Sequence, residues 1–187
     1  VAGNEYGLFY AGEANDYAPI EAILRQHPTS IAVIDQGGDI TAPRALQEKY
    51  QGRVYLCTFV QSSDVAPKWR ELSGMVNVDR NKAIQLLVDE FTEKRIPLFG
   101  GEANWEQYVE HWSHLYRELE EDERGRRRYI WKRNGADHLA LASVYWRVGI
   151  DRVVEGAGEL ITPQEGIFPT LGMELGGAIA KAHFKRF

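Results

Sequence analysis

Two aspartates stand where their surroundings could give a carboxylate chemical work. Asp35 closes the apolar run Ile31-Ala32-Val33-Ile34 and is followed by Gln36 and the pair Gly37-Gly38. A continuous apolar run reads as a strand buried on both faces. Ligands of open α/β sheets bind beyond the carboxyl ends of such strands. Asp137 stands at the first turn of a predicted helix, directly before His138. Each also has a plain structural use, Asp35 as a turn former and Asp137 as a helix cap. Together they supply oxygen donors for a hard cation such as Mg2+, which takes one or two carboxylates plus water and substrate phosphate. Two such ions about 3.5–4 Å apart can activate a water and stabilise the leaving oxygen in phosphodiester cleavage. His138 is placed to contact a phosphate or a metal-bound water. Asp79 could assist the metal, although capping the helix after it is its simpler use.

A second chemistry lies in Arg124, Arg126, Arg127, Arg128, Lys132 and Arg133, which fall within ten positions. The whole chain carries 22 Lys+Arg against 27 Asp+Glu, a formal net charge of −5. That excludes a bulk polyanion binder, but a local cluster can still hold a phosphate backbone. Arg126, Arg127, Arg128, Lys132 and Arg133 are therefore the candidate DNA contacts. His111 and His114 lie three apart, but nothing completes a zinc site around them. Cys57 is the single cysteine. It cannot form an internal disulfide, fits a reducing compartment, and reads as a buried small hydrophobe.

The elements that must hold these residues follow from the patterning. Tyr6 to Tyr10 reads as a strand. Asp16 caps a helix over 17–26 that His27-Pro28 ends. The strand ending at Asp35, a helix carrying Ala45, Leu46 and Tyr50, and a strand over Arg53–Val60 form a unit with parallel neighbours. Residues 61–73 read as polar loop and Met75 to Val78 as a short strand. Asp79 then caps a helix bearing Ala83, Ile84, Leu87, Val88 and Phe91, and Ile96 to Phe99 is extended. Trp105, Tyr108, Val109, Trp112, Leu115, Tyr116 and Leu119 recur at helical spacing, with Glu118, Glu120, Glu121 and Asp122 on the other face. That stripe reads as core rather than a base-stacking platform. Arg124-Gly125-Arg126 is a turn and Arg127 to Arg133 a strand. A last helix runs from Ala136 to Val148 and stops at Gly149.

These elements predict an α/β fold of three layers, a mixed sheet flanked by helices, over residues 1–150. Residues 151–187 read as a partly ordered extension with a weak helix from Glu174 to Phe184. At 187 residues, 44% hydrophobic and 26% charged, the chain has the composition of a soluble globular domain. No apolar run approaches the ~18 residues of a membrane span. No secretory signal is visible, and Val1 in place of Met suggests a processed or excised product.

Three segments in order carry a resemblance. They are Val33-Ile34-Asp35 followed by Ala42 to Tyr50 and Gln51 to Cys57; Val78-Asp79-Arg80-Asn81-Lys82-Ala83; and Asn134 to Ala140 with Ala142 and Tyr145. Across roughly residues 5–149 the chain resembles the nuclease domain of tailed-phage large terminase subunits. The resemblance implies an RNase H-like fold and an endonuclease, dependent on Mg2+ or Mn2+, that cuts concatemeric phage DNA during packaging. It implies metal binding by Asp35 and Asp137 and double-stranded DNA as substrate. It also implies a host-cytoplasm setting and, as partners, an upstream ATPase motor and a portal or small terminase. The family's third carboxylate belongs to a strand ahead of Tyr6 to Tyr10, and Glu5, the nearest acid, matches it poorly. No G-x-x-x-x-G-K-[ST] phosphate loop occurs. Two other readings fit these residues: another RNase H-like nuclease of transposase or resolvase type, and a non-catalytic DNA- or protein-docking domain of the same fold.

Overall fold

The apolar run ending at Asp35 folds as β2 (Ala32–Asp35), and the helix after it as α2 (Thr41–Lys49). α2 leads into β3 (Val54–Val60), which pairs with β2 in parallel, Val33 opposite Tyr55 and Asp35 opposite Cys57. β5 (Met75–Asp79) adds to β3 in parallel, and β4 (Lys68–Arg70) closes that edge antiparallel to β5. The sheet order is therefore β2-β3-β5-β4, with parallel and antiparallel pairs. This computed structural model describes residues 5–38, 40–61, 66–156 and 179–185.

Alternation along β2 and β3 sends side chains to two layers. Ala32, Ile34 and Val54 pack with Leu24 of α1 (Ala18–Gln26) and Leu46 of α2. On the opposite face Val33, Tyr55, Cys57 and Phe59 pack with Tyr145 and Val148 of α5 (His138–Gly156). The far side of α5, including Leu139, Ala140 and Val144, packs with Ile84 and Leu87 of α3 (Arg80–Thr92) and Tyr108 of α4 (Glu106–Ser113). Each fully buried Leu or Val in these clusters is worth about 1.5–3 kcal/mol of transfer free energy. The fold is α/β, a mixed sheet flanked by helices, as the sequence predicts.

Local signals place several elements well. Asp79 caps α3 by accepting the Lys82 N–H at 3.0 Å. Asp16 is not the cap expected of it: α1 starts at Ala18 with Tyr17 at its N-cap, and Asp16 accepts the Ala18 N–H at 2.9 Å from one residue further out. The supposed loop over 61–73, however, contains β4 and a short 3-10 turn, Glu71–Ser73. The aromatic helix ends at Ser113. Leu115, Tyr116 and Leu119 lie instead on β6 (Leu115–Glu121), which pairs antiparallel with β7 (Arg127–Arg133). Cross-strand pairing of acids with bases outweighs the helical spacing there. Gly125, at φ 74°, makes the turn between the two strands.

α5 does not stop at Gly149; it runs through residue 150 to Gly156. β1 (Glu5–Gly12) pairs antiparallel with β8 (Ile179–Lys185), where the sequence suggests helix. β1 also bridges in parallel to the extended segment at Leu98. Residues 157–178, which take in much of the expected extension and the start of the helix expected from Glu174, lie outside the described residues. Among the described residues, no helix is long and apolar enough to cross a membrane.

Candidate functional site

The two aspartates are held in different ways. Asp35 ends β2 and is exposed, and its Oδ1 accepts the Gly37 N–H at 3.1 Å. Asp137 precedes α5 and is only 1% exposed. Its backbone carbonyl accepts the Leu141 N–H at 2.9 Å, the first turn of the helix. Its Oδ1 accepts from Arg133 Nη1 at 2.9 Å. Its Oδ2 is buried without a hydrogen-bond partner, 3.9 Å from Arg80 Nη2.

Arg80 and Asn81, at the start of α3, link this acid to the hairpin. Arg80 Nη1 donates to the Trp131 carbonyl at 2.6 Å, and Asn81 Oδ1 accepts the Trp131 N–H at 2.8 Å. The end of β5 that leads into α3, the start of α3, β7 and the start of α5 therefore share one polar patch.

Tyr145 connects the patch to Asp35. It lies eight residues past Asp137, just over two helical turns. Its ring stacks on Phe59 at 5.1 Å, and the residue is 8% exposed. The hydroxyl is buried and makes no hydrogen bond of standard geometry. Burial pushes its pKa up strongly, and the Asp35 carboxylate pushes it further, by charge and as an acceptor, while Arg80 opposes them. The Asp35 carboxylate is thus within electrostatic reach of the hydroxyl. Cys57 shares this environment; burial, then the Asp35 charge, lifts its thiol to about 12. It is a buried small hydrophobe, as its strand position suggests.

The other candidates sit at the margins. Asp79 Oδ1 is engaged in the cap of α3. His138 is exposed at the first residue of α5, and its ring meets the His111 ring edge-on at 6.1 Å. His111 is buried, and its Nδ1 accepts the Leu139 N–H at 3.0 Å, capping α5. That acceptor role puts the proton of a neutral ring on Nε2. His114 Nδ1 lies 2.8 Å from the Ala136 carbonyl, which can only accept, so Nδ1 carries the proton there. Among the described residues, no three His, Cys, Asp or Glu side chains form a metal-holding group.

The basic cluster is largely engaged by acids of its own hairpin. Arg126 pairs with Asp122 at 2.7 Å and Arg127 with Glu121 at 2.8 Å. Lys132 lies 3.0 Å from Glu118 and 3.1 Å from Glu120, whose hydrogen bonds, Glu118's first, raise its pKa. Arg133 serves Asp137, and Arg128 stands opposite Glu120 in the ladder.

Sequence reasoning gives Tyr145 and Arg80 no site role beyond the resemblance, and weighs His111 only as a zinc ligand. A weak signal exists for two of them. Arg80 follows the Asp79 cap, and Tyr145 follows Asp137 at a spacing that keeps both near one helix face. Compared with family models, curated proteins and solved structures, the chain matches none.

Proposed function

We propose that this chain is a divalent-metal-dependent endodeoxyribonuclease domain of RNase H-like architecture, the nuclease part of a large terminase subunit. The observation that carries the reading is the buried Asp137 carboxylate, whose Oδ2 lacks a hydrogen bond. An orphaned buried acceptor is costly and calls for a ligand or an explanation. The donor set fits a hard cation in type, with Asp35 offering an exposed carboxylate and Asp137 an oxygen that has no hydrogen bond and faces Arg80 at 3.9 Å. Bound Mg2+ or Mn2+ would supply water activation and charge neutralisation at the leaving oxygen. On this reading, Asp35 and Asp137 hold the metal, with Asp79 beside them. His138 contacts the scissile phosphate or its water. Arg80 steadies the negative charge of the substrate near Asp137. Arg126, Arg127, Arg128, Lys132 and Arg133 would track the DNA backbone once they release their acids. The setting is the host cytoplasm, with double-stranded DNA as substrate and a packaging motor, portal or small terminase as partners.

One observation favours a second reading. Arg133 and Arg80 already give Asp137 counter-charges, so a non-catalytic docking domain could use it as a structural anchor. Plasmid cleavage at low salt with Mn2+, Mg2+ or EDTA separates the two. A nuclease nicks DNA only with metal, and Asp137→Ala abolishes the nicking. Absence of cleavage by the folded chain in every metal counts against the nuclease and for docking.

A further inference from the structure

The packing of α5 on β2 fixes what lies beside Asp35. A Cβ placed on Gly149 would stand 3.3 Å from Val33 Cγ2, so the helix backbone nearly touches the strand there. Asp35 is two residues further along the same face of β2, about 6.6 Å. Tyr145 is four residues back along α5, about 6 Å. The parallel register sets Asp35 beside Cys57, and Phe59, two residues on, holds the Tyr145 ring. The phenol is therefore clamped abreast of Asp35.

A buried hydroxyl without a standard hydrogen bond is a stability cost that phenylalanine would avoid. Local rules broken without structural gain are expected at functional sites. A phenol at neutral pH donates its proton, and an ionised carboxylate only accepts. Carboxylates that ligate metals are themselves commonly held by hydrogen bonds, which orient them.

We propose that Tyr145 is a positioning residue: its hydroxyl donates to the Asp35 carboxylate when that carboxylate engages a divalent cation, fixing which oxygen faces the metal. The inference rests on the metal-site reading given above. It adds a residue whose ring belongs to the core and whose hydroxyl belongs to the site.

The test titrates Mn2+ alone into the full 187-residue chain and follows thermal unfolding. Wild type gains Tm with Mn2+, and Asp35→Asn loses that gain. Tyr145→Phe keeps the ring stack, so its metal-free Tm equals or exceeds that of wild type. Its Mn2+ midpoint rises about 10–100-fold, the usual effect of losing a residue that orients a ligand. A purely structural tyrosine would lower the metal-free Tm and leave the midpoint alone. An unchanged midpoint in Tyr145→Phe, with the gain lost in Asp35→Asn, overturns the role of the tyrosine and leaves the metal site standing. No Mn2+ response in wild type, or one that Asp35→Asn retains, overturns both.

Discussion

Arg147 on α5 donates to Glu90 on α3 through two hydrogen bonds, at 2.7 and 2.9 Å, although 57 positions separate them. Glu90 is 1% exposed and also accepts the Tyr6 hydroxyl at 2.9 Å. Arg147 further pairs with Asp151 and lies over the Tyr6 ring. This buried network joins β1, α3 and α5, and so fixes the helix that carries Asp137 and Tyr145. Glu90→Gln leaves the largely buried Arg147 guanidinium, 13% exposed, without its main counter-charge. The expected loss is about 3 kcal/mol, the low end for a broken buried pair because Asp151 remains. Urea unfolding measures it. Arg95→Ala, on the exposed side of Glu90, serves as control and should cost under about 1 kcal/mol.

Gly135 sets the turn before Asp137. A Cβ there would stand 2.7 Å from His114 Cγ and Cδ2. The ring cannot swing away freely, because its Nδ1 is held at the Ala136 carbonyl. Gly135→Ala is therefore overpacked and should lose about 1–3 kcal/mol. The double variant with His114→Ala should recover part of that loss, a coupling that a double-mutant cycle reads directly. Additive effects would show that the ring and the turn are not in contact.

The sequence makes the local parts of this site legible. The apolar run into Asp35, the Asp79 cap and the strand–helix–strand unit from β2 to β3 depend on neighbours in the chain. What it hides depends on distant partners. Leu115, Tyr116 and Leu119 fit a helix until β7 offers Arg127, Arg128 and Lys132 opposite Glu121, Glu120 and Tyr116. Gly149 looks like a stop until Val33 supplies the close packing that keeps the helix going. The tail reads as weak helix because the partner of β8 is β1, at the other end of the chain. Within the site, Asp35 and Asp137 stand out in the sequence. Arg80, His111 and Tyr145 matter only once α5 lies between the sheet and α3 and α4.

Alkaline pH should weaken the fold in steps. Burial first, then the Asp35 charge, keeps the Cys57 thiol protonated to about 12 against an ordinary 9.0. Burial does the same for Tyr108, to about 12 against 10.0. Between those limits the native state binds more protons than the unfolded chain, so stability falls as pH rises. Stability should be indifferent to these groups below about pH 9, and each should remove at most about 1.4 kcal/mol per pH unit above its own onset. Urea midpoints from pH 8 to 11 test this. Cys57→Ala should delay the onset to the tyrosine step; an unchanged onset would place its origin elsewhere.

The acids of β6 should restrain DNA binding by the hairpin. Arg127 is engaged by Glu121, and Lys132 by Glu118 and Glu120, all at the surface. Such exposed pairs are weak and screened by salt, so a phosphate can displace the carboxylates, but each displacement lowers the net gain. Replacing Glu118, Glu120 and Glu121 together with Gln should tighten binding to a double-stranded fragment. It should also steepen the fall of affinity with salt by about 0.9 in log–log slope for each added phosphate contact. Arg127→Ala in the wild-type background should change little, because its charge is already spent on Glu121. The same substitution in the triple variant should cost affinity, since there the guanidinium is available to the backbone. Fluorescence anisotropy across a salt series reads both quantities. A triple variant that binds no better than wild type would remove the hairpin from the DNA-binding surface and turn the search to the cations near Asp137.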